Sequence, residues 1–510
     1  MPREEGASVL CIGRDANGEL GSNKGAPILT SAAPIKSIGA GLFHSFAIGR
    51  SNELYLWGAG SGGQLGLPRG EGNATFGESS HAHVGAPLRV RCGTDGVAVV
   101  GAAAGRNHSL ALTQGGNIYS WGRASEGQLG HGESTNAGGT RRVADTDLTS
   151  PKLLKQDLPP FGHVACGEHF SAALSLGGIV HTWGCEHNGQ TGRPCPHAEP
   201  RPIPRSVFGN ELVSKVALGW RHALCITQAG KLYSWGCGTA GQLGRGAHKD
   251  AAQPGIVQSL AKEHVTDIAA GRAHSLAISS SGLSFAFGDN ELGQCGLPQA
   301  SGGGDDDAGG DPSAGDSAGA DDDAAGGGVL GTSSAGCFAL RPQPLTSLLD
   351  CAPIVSLSAG AAHSCFVTAD GRLYACGDNS YGQLGGGDGN GSPAAVPEPR
   401  LSSGLERKVL SVACGAWHSV LLLSAVPVQG DRPDRNTPPT VAVVSPQDAR
   451  TAAAAIAAEF DAAVADTFHK AGKGARDADS AFFNEDARAG SPAAMDNADV
   501  GDPLSQIHIE

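Results

Sequence analysis

No run of about eighteen apolar residues occurs in this chain of 510 residues, so no membrane-spanning helix is expected. The opening, MPREEGASVL, lacks the apolar stretch of a secretory signal. Together these absences predict a cytoplasmic or nuclear protein without membrane insertion. Thirteen cysteines are scattered with no CxxC pair, which removes zinc ribbons and thioredoxin-like sites. Reduced, mostly buried thiols are the expected state. No Walker-type glycine loop ending in Lys-Ser or Lys-Thr is present, so nucleotide binding through glycines has no support. No Ser-His-Asp or paired-carboxylate set stands out, and neither bond-making chemistry nor a cofactor is expected.

A basic stripe is missing too. The formal net charge is −14, but its distribution is uneven. Residues 301–328 carry eight Asp and no Lys or Arg, and residues 426–510 carry 14 acidic and 7 basic side chains. What remains is nearly neutral, so no direct nucleic-acid contact is expected.

Glycine is plentiful, at 78 residues, and much of it recurs in register. One half-motif reads IGRDANGELG (ending at Gly21), WGAGSGGQLG (Gly66), WGRASEGQLG (Gly130), WGCEHNGQTG (Gly192), WGCGTAGQLG (Gly244), FGDNELGQCG (Gly296) and CGDNSYGQLG (Gly385). The other opens at Gly41, Gly105, Gly167, Gly219, Gly271, Gly360 and Gly415. It carries His44, His108, His222, His274, His363 and His418 three places later, with Phe170 in the third copy. Stretches such as HSLALT and NIYSWG are short, β-rich and alternating, with a glycine turn between them. Each unit suits a small sheet that cannot bury both faces alone, and radial repetition supplies the neighbours.

The chain starts with the GELG half and ends with the WHS half. These two halves make one unit, so a strand near Val9–Gly13 is expected to pair with strands near Val409–Leu423. That closes a ring of seven and removes the exposed edges. The predicted fold is all-β: a seven-bladed β-propeller closed by its N- and C-terminal strands sharing one blade.

GxxHSxAL followed by a hairpin and WGxxxxGQLG resembles the regulator of chromosome condensation repeat, over about residues 8–425. The resemblance implies a seven-bladed propeller acting through protein partners. Its founding member is an exchange factor for the small GTPase Ran and binds nucleosomes. Other members include a plant ultraviolet-B receptor, ubiquitin ligases and trafficking proteins. An exchange wedge and a basic N-terminal arm are not recognised in this sequence. A partner-binding scaffold is therefore expected, with exchange activity on a small GTPase as its sharper form.

The domain reading is a propeller over residues 1–425, an acidic disordered insert at 299–336, and a largely disordered tail at 426–510. Within the tail a helix is expected over about 446–471. Ser445 caps it, and Ile456, Phe460, Val464 and Phe468 form one stripe.

The repeat histidines and glycines, with Trp57, Trp121, Trp183 and Trp235, read as architecture; a buried imidazole at each corner can tie backbone groups together. Trp220 and Arg221 are particular to one copy, since Leu42, Arg106, Glu168, Arg272, Ala361 and Ala416 stand where Trp220 does. They are candidate partner contacts. So are Arg141, Arg142, Lys152 and Lys155, within the long connection His131–Pro160; Leu67–Val97 is a second such connection. Cys185, His187, Cys195 and His197 have ligand types that suit zinc, but the first two fill variable corner places, and no metal site is assigned.

Overall fold

The computed structural model describes residues 7–21, 34–67, 83–93, 97–135, 141–143, 147–155, 157–194, 198–298, 338–385 and 393–427. The acidic insert and the expected tail helix lie outside these residues. Among the described residues no helix is long and apolar enough to cross a membrane.

Six four-stranded antiparallel sheets follow one another along the chain. Blade 1 is Ile35–Ala40, His44–Gly49, Leu54–Ala59 and His83–Val90; blade 2 is Val99–Ala104, His108–Thr113, Ile118–Gly122 and Leu148–Leu153. Blade 3 is Phe161–Cys166, Phe170–Ser175, Val180–Gly184 and Arg201–Pro202; blade 4 is Val213–Leu218, His222–Thr227, Leu232–Gly236 and Ala251–Ile256. Blade 5 is Val265–Ala270, His274–Ser279, Ser284–Asp289 and Phe338–Pro344; blade 6 is Ile354–Ala359, His363–Thr368, Leu373–Asp378 and Ala395–Leu401. Blade 7 joins the two ends. Ser8–Gly13 pairs antiparallel with His418–Pro427, Val9 opposite Leu422 and Gly13 opposite His418, and Arg407–Cys414 lies on the other side. The closure expected from the split motif is the one observed.

In blades 1 to 6 all six residues of the second strand are buried. Its sheet is covered on both faces by the neighbouring blades, so the in-and-out alternation of a half-exposed strand does not apply. Fourth strands such as FALRPQP and AVPEPRL hold prolines and mostly half-buried or exposed positions, which suits the rim, where one edge needs no partner.

The seams between blades explain the repeat. At the blade 1/blade 2 seam, His44 Nε2 lies 2.8 Å from Ser109 Oγ. That hydroxyl donates to the carbonyl of Gln64 at 2.8 Å, and the Trp121 indole N–H donates to the same carbonyl at 2.8 Å. Since the hydroxyl proton is spent on Gln64, the imidazole must donate from Nε2, leaving Nδ1 bare. The Nδ1 atoms of His44, His108, His222, His274 and His363 are buried and have no hydrogen-bond partner. Burial holds His44, His108, His222, His274 and His418 as neutral rings, their pKa pushed down to about 3.

Six of the seven seams carry this histidine–serine contact: His108–Ser171, His222–Ser275, His274–Ser364, His363–Ser419 and His418–Ser45 follow the same plan. The expected tie to backbone groups is thus corrected: the imidazole reaches a serine hydroxyl on the next blade, and the serine reaches the backbone. The blade 3/blade 4 seam differs on both sides. Phe170 replaces the histidine and Ala223 the serine, both fully buried in one apolar cluster. Neither polar group is left without its mate.

The glutamine of each GQLG corner also folds back. Gln64, Gln128, Gln190, Gln242, Gln294 and Gln383 each accept, through Oε1, the N–H two residues earlier. The glycine that opens each histidine motif has a steric role. A Cβ on Gly105 would lie 2.2 Å from His108 Cε1 and 2.7 Å from the Gly167 carbonyl. This residue keeps an ordinary φ, so it is the bulk of a side chain that its neighbours exclude.

Candidate functional site

Strand register puts the two kinds of corner on one face. His44 stands opposite Gly58, and the Ala59 N–H donates to the Phe43 carbonyl at 2.8 Å. Equivalent bonds run from Arg123 to Asn107, Cys185 to His169, Cys237 to Arg221 and Arg14 to Trp417. The GxxHS and WGxxxxGQLG corners therefore form a common surface around the axis.

At the mouth a closed circuit of seven backbone hydrogen bonds links successive blades. The N–H groups of Leu42, Arg106, Glu168, Trp220, Arg272, Ala361 and Ala416 donate in turn to the carbonyls of Gly105, Glu168, Trp220, Gly271, Gly360, Ala416 and Leu42. The axial cavity inside this circuit measures about 70 Å³ and is lined by Gly41, Gly167, Gly219, Gly271, Gly360 and Gly415, among others. Ligand sites for drug-sized molecules hold roughly 300 Å³ or more, several times this volume.

Side chains at the mouth divide into two sectors. Leu42, Ala361 and Ala416 form an apolar cluster with Phe43, Trp220 and Trp417 partly buried against it. Phe43 and Trp417 have ring centroids 5.7 Å apart, and the Arg14 guanidinium lies 5.1 Å from the Trp417 ring. The charged sector centres on Glu168, whose side chain is 3% exposed. Arg106 of blade 2 donates to its Oε1 at 2.8 Å, and Arg221 of blade 4 to its Oε2 at 3.1 Å. Burial alone would raise the Glu168 pKa; the adjacent His169 and the two guanidiniums outweigh it and hold the carboxyl below its ordinary range. Arg272 of blade 5 stacks on Trp220 with its guanidinium 5.1 Å from the ring centroid.

Of the residues singled out in the sequence, the structure brings Trp220 and Arg221 into this sector. The repeat glycines and histidines ring it from below. Trp57, Trp121, Trp183 and Trp235 are fully buried, each indole donating to a carbonyl of the preceding GELG or GQ corner.

The remaining four candidates are elsewhere. Lys152 belongs to the fourth strand of blade 2, opposite Ser120, and Lys155 pairs with Glu199. Arg141 and Arg142 sit in a short hairpin, Arg141–Val143 against Glu133–Thr135. The two long connections are corrected accordingly. Leu67–Val97 contains the fourth strand of blade 1, and His131–Pro160 that of blade 2, so removing either connection whole would strip a blade. Arg106, Glu168 and Arg272 were not singled out as partner contacts. The signal was there in the alignment of copies: charged residues fill these places only in blades 2, 3 and 5, on either side of Trp220 in blade 4.

A family model described as the regulator of chromosome condensation (RCC1) repeat matches residues 51–112, 115–174, 177–226, 229–278 and 370–422, more than half of the chain. The chain belongs to the RCC1 repeat family. This RCC1-repeat propeller is 30% identical over 389 residues to the ultraviolet-B receptor UVR8 of Arabidopsis thaliana, covering 75% of this chain and 73% of that one. It is 28% identical over 423 residues to the mouse E3 ubiquitin-protein ligase HERC2, covering 81% of this chain and spanning 8% of that protein's length. In fold it matches Prp20p of Saccharomyces cerevisiae with a TM-score of 0.64 at 22% identity, over 83% of this chain and 93% of that one. That structure is described together with the binding of Prp20p to Gsp1p and histones.

Proposed function

We propose that this RCC1-repeat propeller is a protein-interaction platform whose partner sits on the face carrying the axial mouth. The observation that supports this is Glu168. A buried carboxylate from blade 3 holds an arginine from each neighbouring blade, yet the side chains of Arg106 and Arg221 remain 43% and 60% exposed. Their orientation is fixed before a partner arrives, so little side-chain entropy is lost on binding. Arginine and tryptophan are also the residues that most often anchor interfaces. Arg106, Arg221 and Arg272 present positive charge beside the Trp220 ring, a surface that fits an acidic partner.

The finer reading is exchange activity on a small GTPase, supported by the fold likeness to a protein described as binding Gsp1p. It is tested by release of labelled GDP from a panel of GTPases, alongside capture of the same GTPases on the immobilised propeller. Acceleration that Arg221→Ala and Trp220→Ala reduce about tenfold or more supports exchange at this face; each removes one anchor worth about 1.4 kcal/mol or more. Capture without acceleration leaves a scaffold. Capture that both variants leave unchanged overturns the assignment of the face.

Photoreception of the kind named for UVR8 has less to build on. The ring of Trp220 meets Arg272, that of Trp417 meets Phe43 and Arg14, and no two tryptophan rings pair among the described residues. Sizing chromatography before and after ultraviolet-B illumination is expected to give the same elution volume. A light-dependent shift would reverse this.

A further inference from the structure

A second group of side chains shares a cavity with Glu168, Trp220 and Arg221 of the charged sector but supplies none of the partner contacts argued above. Glu126 comes from the WGRASEGQLG corner of blade 2, and Cys185 and His187 from the WGCEHNGQTG corner of blade 3. One oxygen, one sulfur and one nitrogen of these three side chains all lie within 4.8 Å of one another. Cys185 Sγ is 3.2 Å from His187 Nδ1, within hydrogen-bond distance. Tetrahedral zinc, with Zn–S near 2.3 Å and Zn–N near 2.1 Å, sets sulfur and nitrogen about 3.6 Å apart. The observed separation needs to open by less than half an ångström.

We propose that Glu126, Cys185 and His187 form a zinc-binding site. Thiolate, imidazole and carboxylate together suit this borderline ion better than calcium or magnesium, which take oxygen donors. The corners are pinned before any ion arrives. The Cys185 N–H donates to the His169 carbonyl at 2.9 Å, Ala124 N–H to Asp147 Oδ1 at 3.0 Å, and Asn188 Nδ2 to Asp250 Oδ2 at 2.9 Å. A cavity of about 100 Å³ adjoins the donors, lined by Cys185, His187 and His169 and also by Glu168, Trp220 and Arg221 of the charged sector. It has room for a water as the fourth ligand. Binding converts the Cys185 thiol to thiolate and releases its proton to solvent. Sister corners lack the set: Ala59 and Ser61 in blade 1, or Cys237 and Thr239 in blade 4, stand where Cys185 and His187 do.

The other thiol–imidazole trio, His363, Cys365 and Cys414, is a poorer host. His363 Nε2 contacts Ser419 Oγ at 3.1 Å, which leaves only the buried Nδ1 as a ligand atom. The two thiols also occupy the seam that Leu276 and Ala359 fill one blade earlier, both within the core.

The test is titration of the reduced full-length chain with Co²⁺, then Zn²⁺. The expected result is a thiolate-to-cobalt charge-transfer band that zinc abolishes at one equivalent. Cys185→Ser should remove the band and weaken zinc binding about a hundredfold or more, since even outer-shell changes cost about 10–100-fold. Glu126→Gln and His187→Ala should each cost about tenfold or more, and Cys237→Ser nothing. His187 is exposed, so His187→Ala decides the matter even if Cys185→Ser folds poorly. Absence of the band, its survival in Cys185→Ser, or zinc affinity in His187→Ala within about twofold of the parent would overturn the proposal. Partner capture is measured separately, so loss of one reading leaves the other standing.

Discussion

Between pH 6.5 and pH 5 the propeller is expected to lose most of its stability and unfold cooperatively. The cause is the set of buried seam imidazoles. His44, His108, His222, His274 and His418 have a folded pKa near 3, against 6.5 when exposed. A lowered folded pKa means that the unfolded chain takes up protons first. Stability is thus fully present above pH 6.5 and falls as the pH drops toward 3. At pH 5.5 each ring costs about 1.4 kcal/mol, so five cost about 7 kcal/mol, comparable with the whole stability of a typical domain. Carboxylates held low by ion pairs, such as Glu199 and Glu211, act in the same direction but only below about pH 4.5, after the histidines have acted. Thermal unfolding followed from pH 7.5 to 5 should show this decline. Potentiometric proton uptake on unfolding at pH 5.5 should reach at least five per molecule, since burial also holds His131 and His163 down to about 4, and an uptake below two would show that the seams are not the cause.

The second large effect concerns the odd seam. Phe170→His alone should destabilise the propeller by about 3 kcal/mol. It gives up apolar burial and leaves a buried Nε2–H facing Ala223 with no hydroxyl to receive it. Adding Ala223→Ser should recover about 2 kcal/mol by rebuilding the contact present in the other six seams, a coupling typical of directly touching residues. The reverse exchange, His108→Phe with Ser171→Ala, should likewise be better tolerated than Ser171→Ala alone suggests. Urea unfolding midpoints of the singles and the double measure the coupling. Additive effects would mean that the two positions do not act as a pair.

These expectations show where the sequence could be read and where it could not. Gly, His, Trp and GQLG recur in register, because every blade solves the same packing problem with the same atoms. The number of blades and the closure by Val9 against Leu422 follow from counting half-motifs. The fourth strands were hidden because their position at the rim relaxes the demand for apolar alternation. LTSPKL and AAQPGI look like loop, and two of these strands sit inside connections that read as insertions. Phe170 is visible as a departure, but its mate Ala223 is not, since the contact crosses a seam and alanine is unremarked at a small-residue place. Trp220 and Arg221 stood out by composition. Glu168 was visible as a charged residue in the place of Trp220, but its hold on Arg221 became legible only when the two corners were seen to meet.

The seam contacts also bear on how such a ring can change over generations. Each structural pair is split between two consecutive copies, so a repeat is not an independent cassette. Phe170 and Ala223 must be inherited together. Duplication, loss or exchange of a single copy with a breakpoint between them would set phenylalanine against serine, or histidine against alanine. Breakpoints at any of the other six seams reunite like with like. Repeat shuffling in this chain should therefore be confined to those six places, with the third and fourth copies travelling as a linked pair.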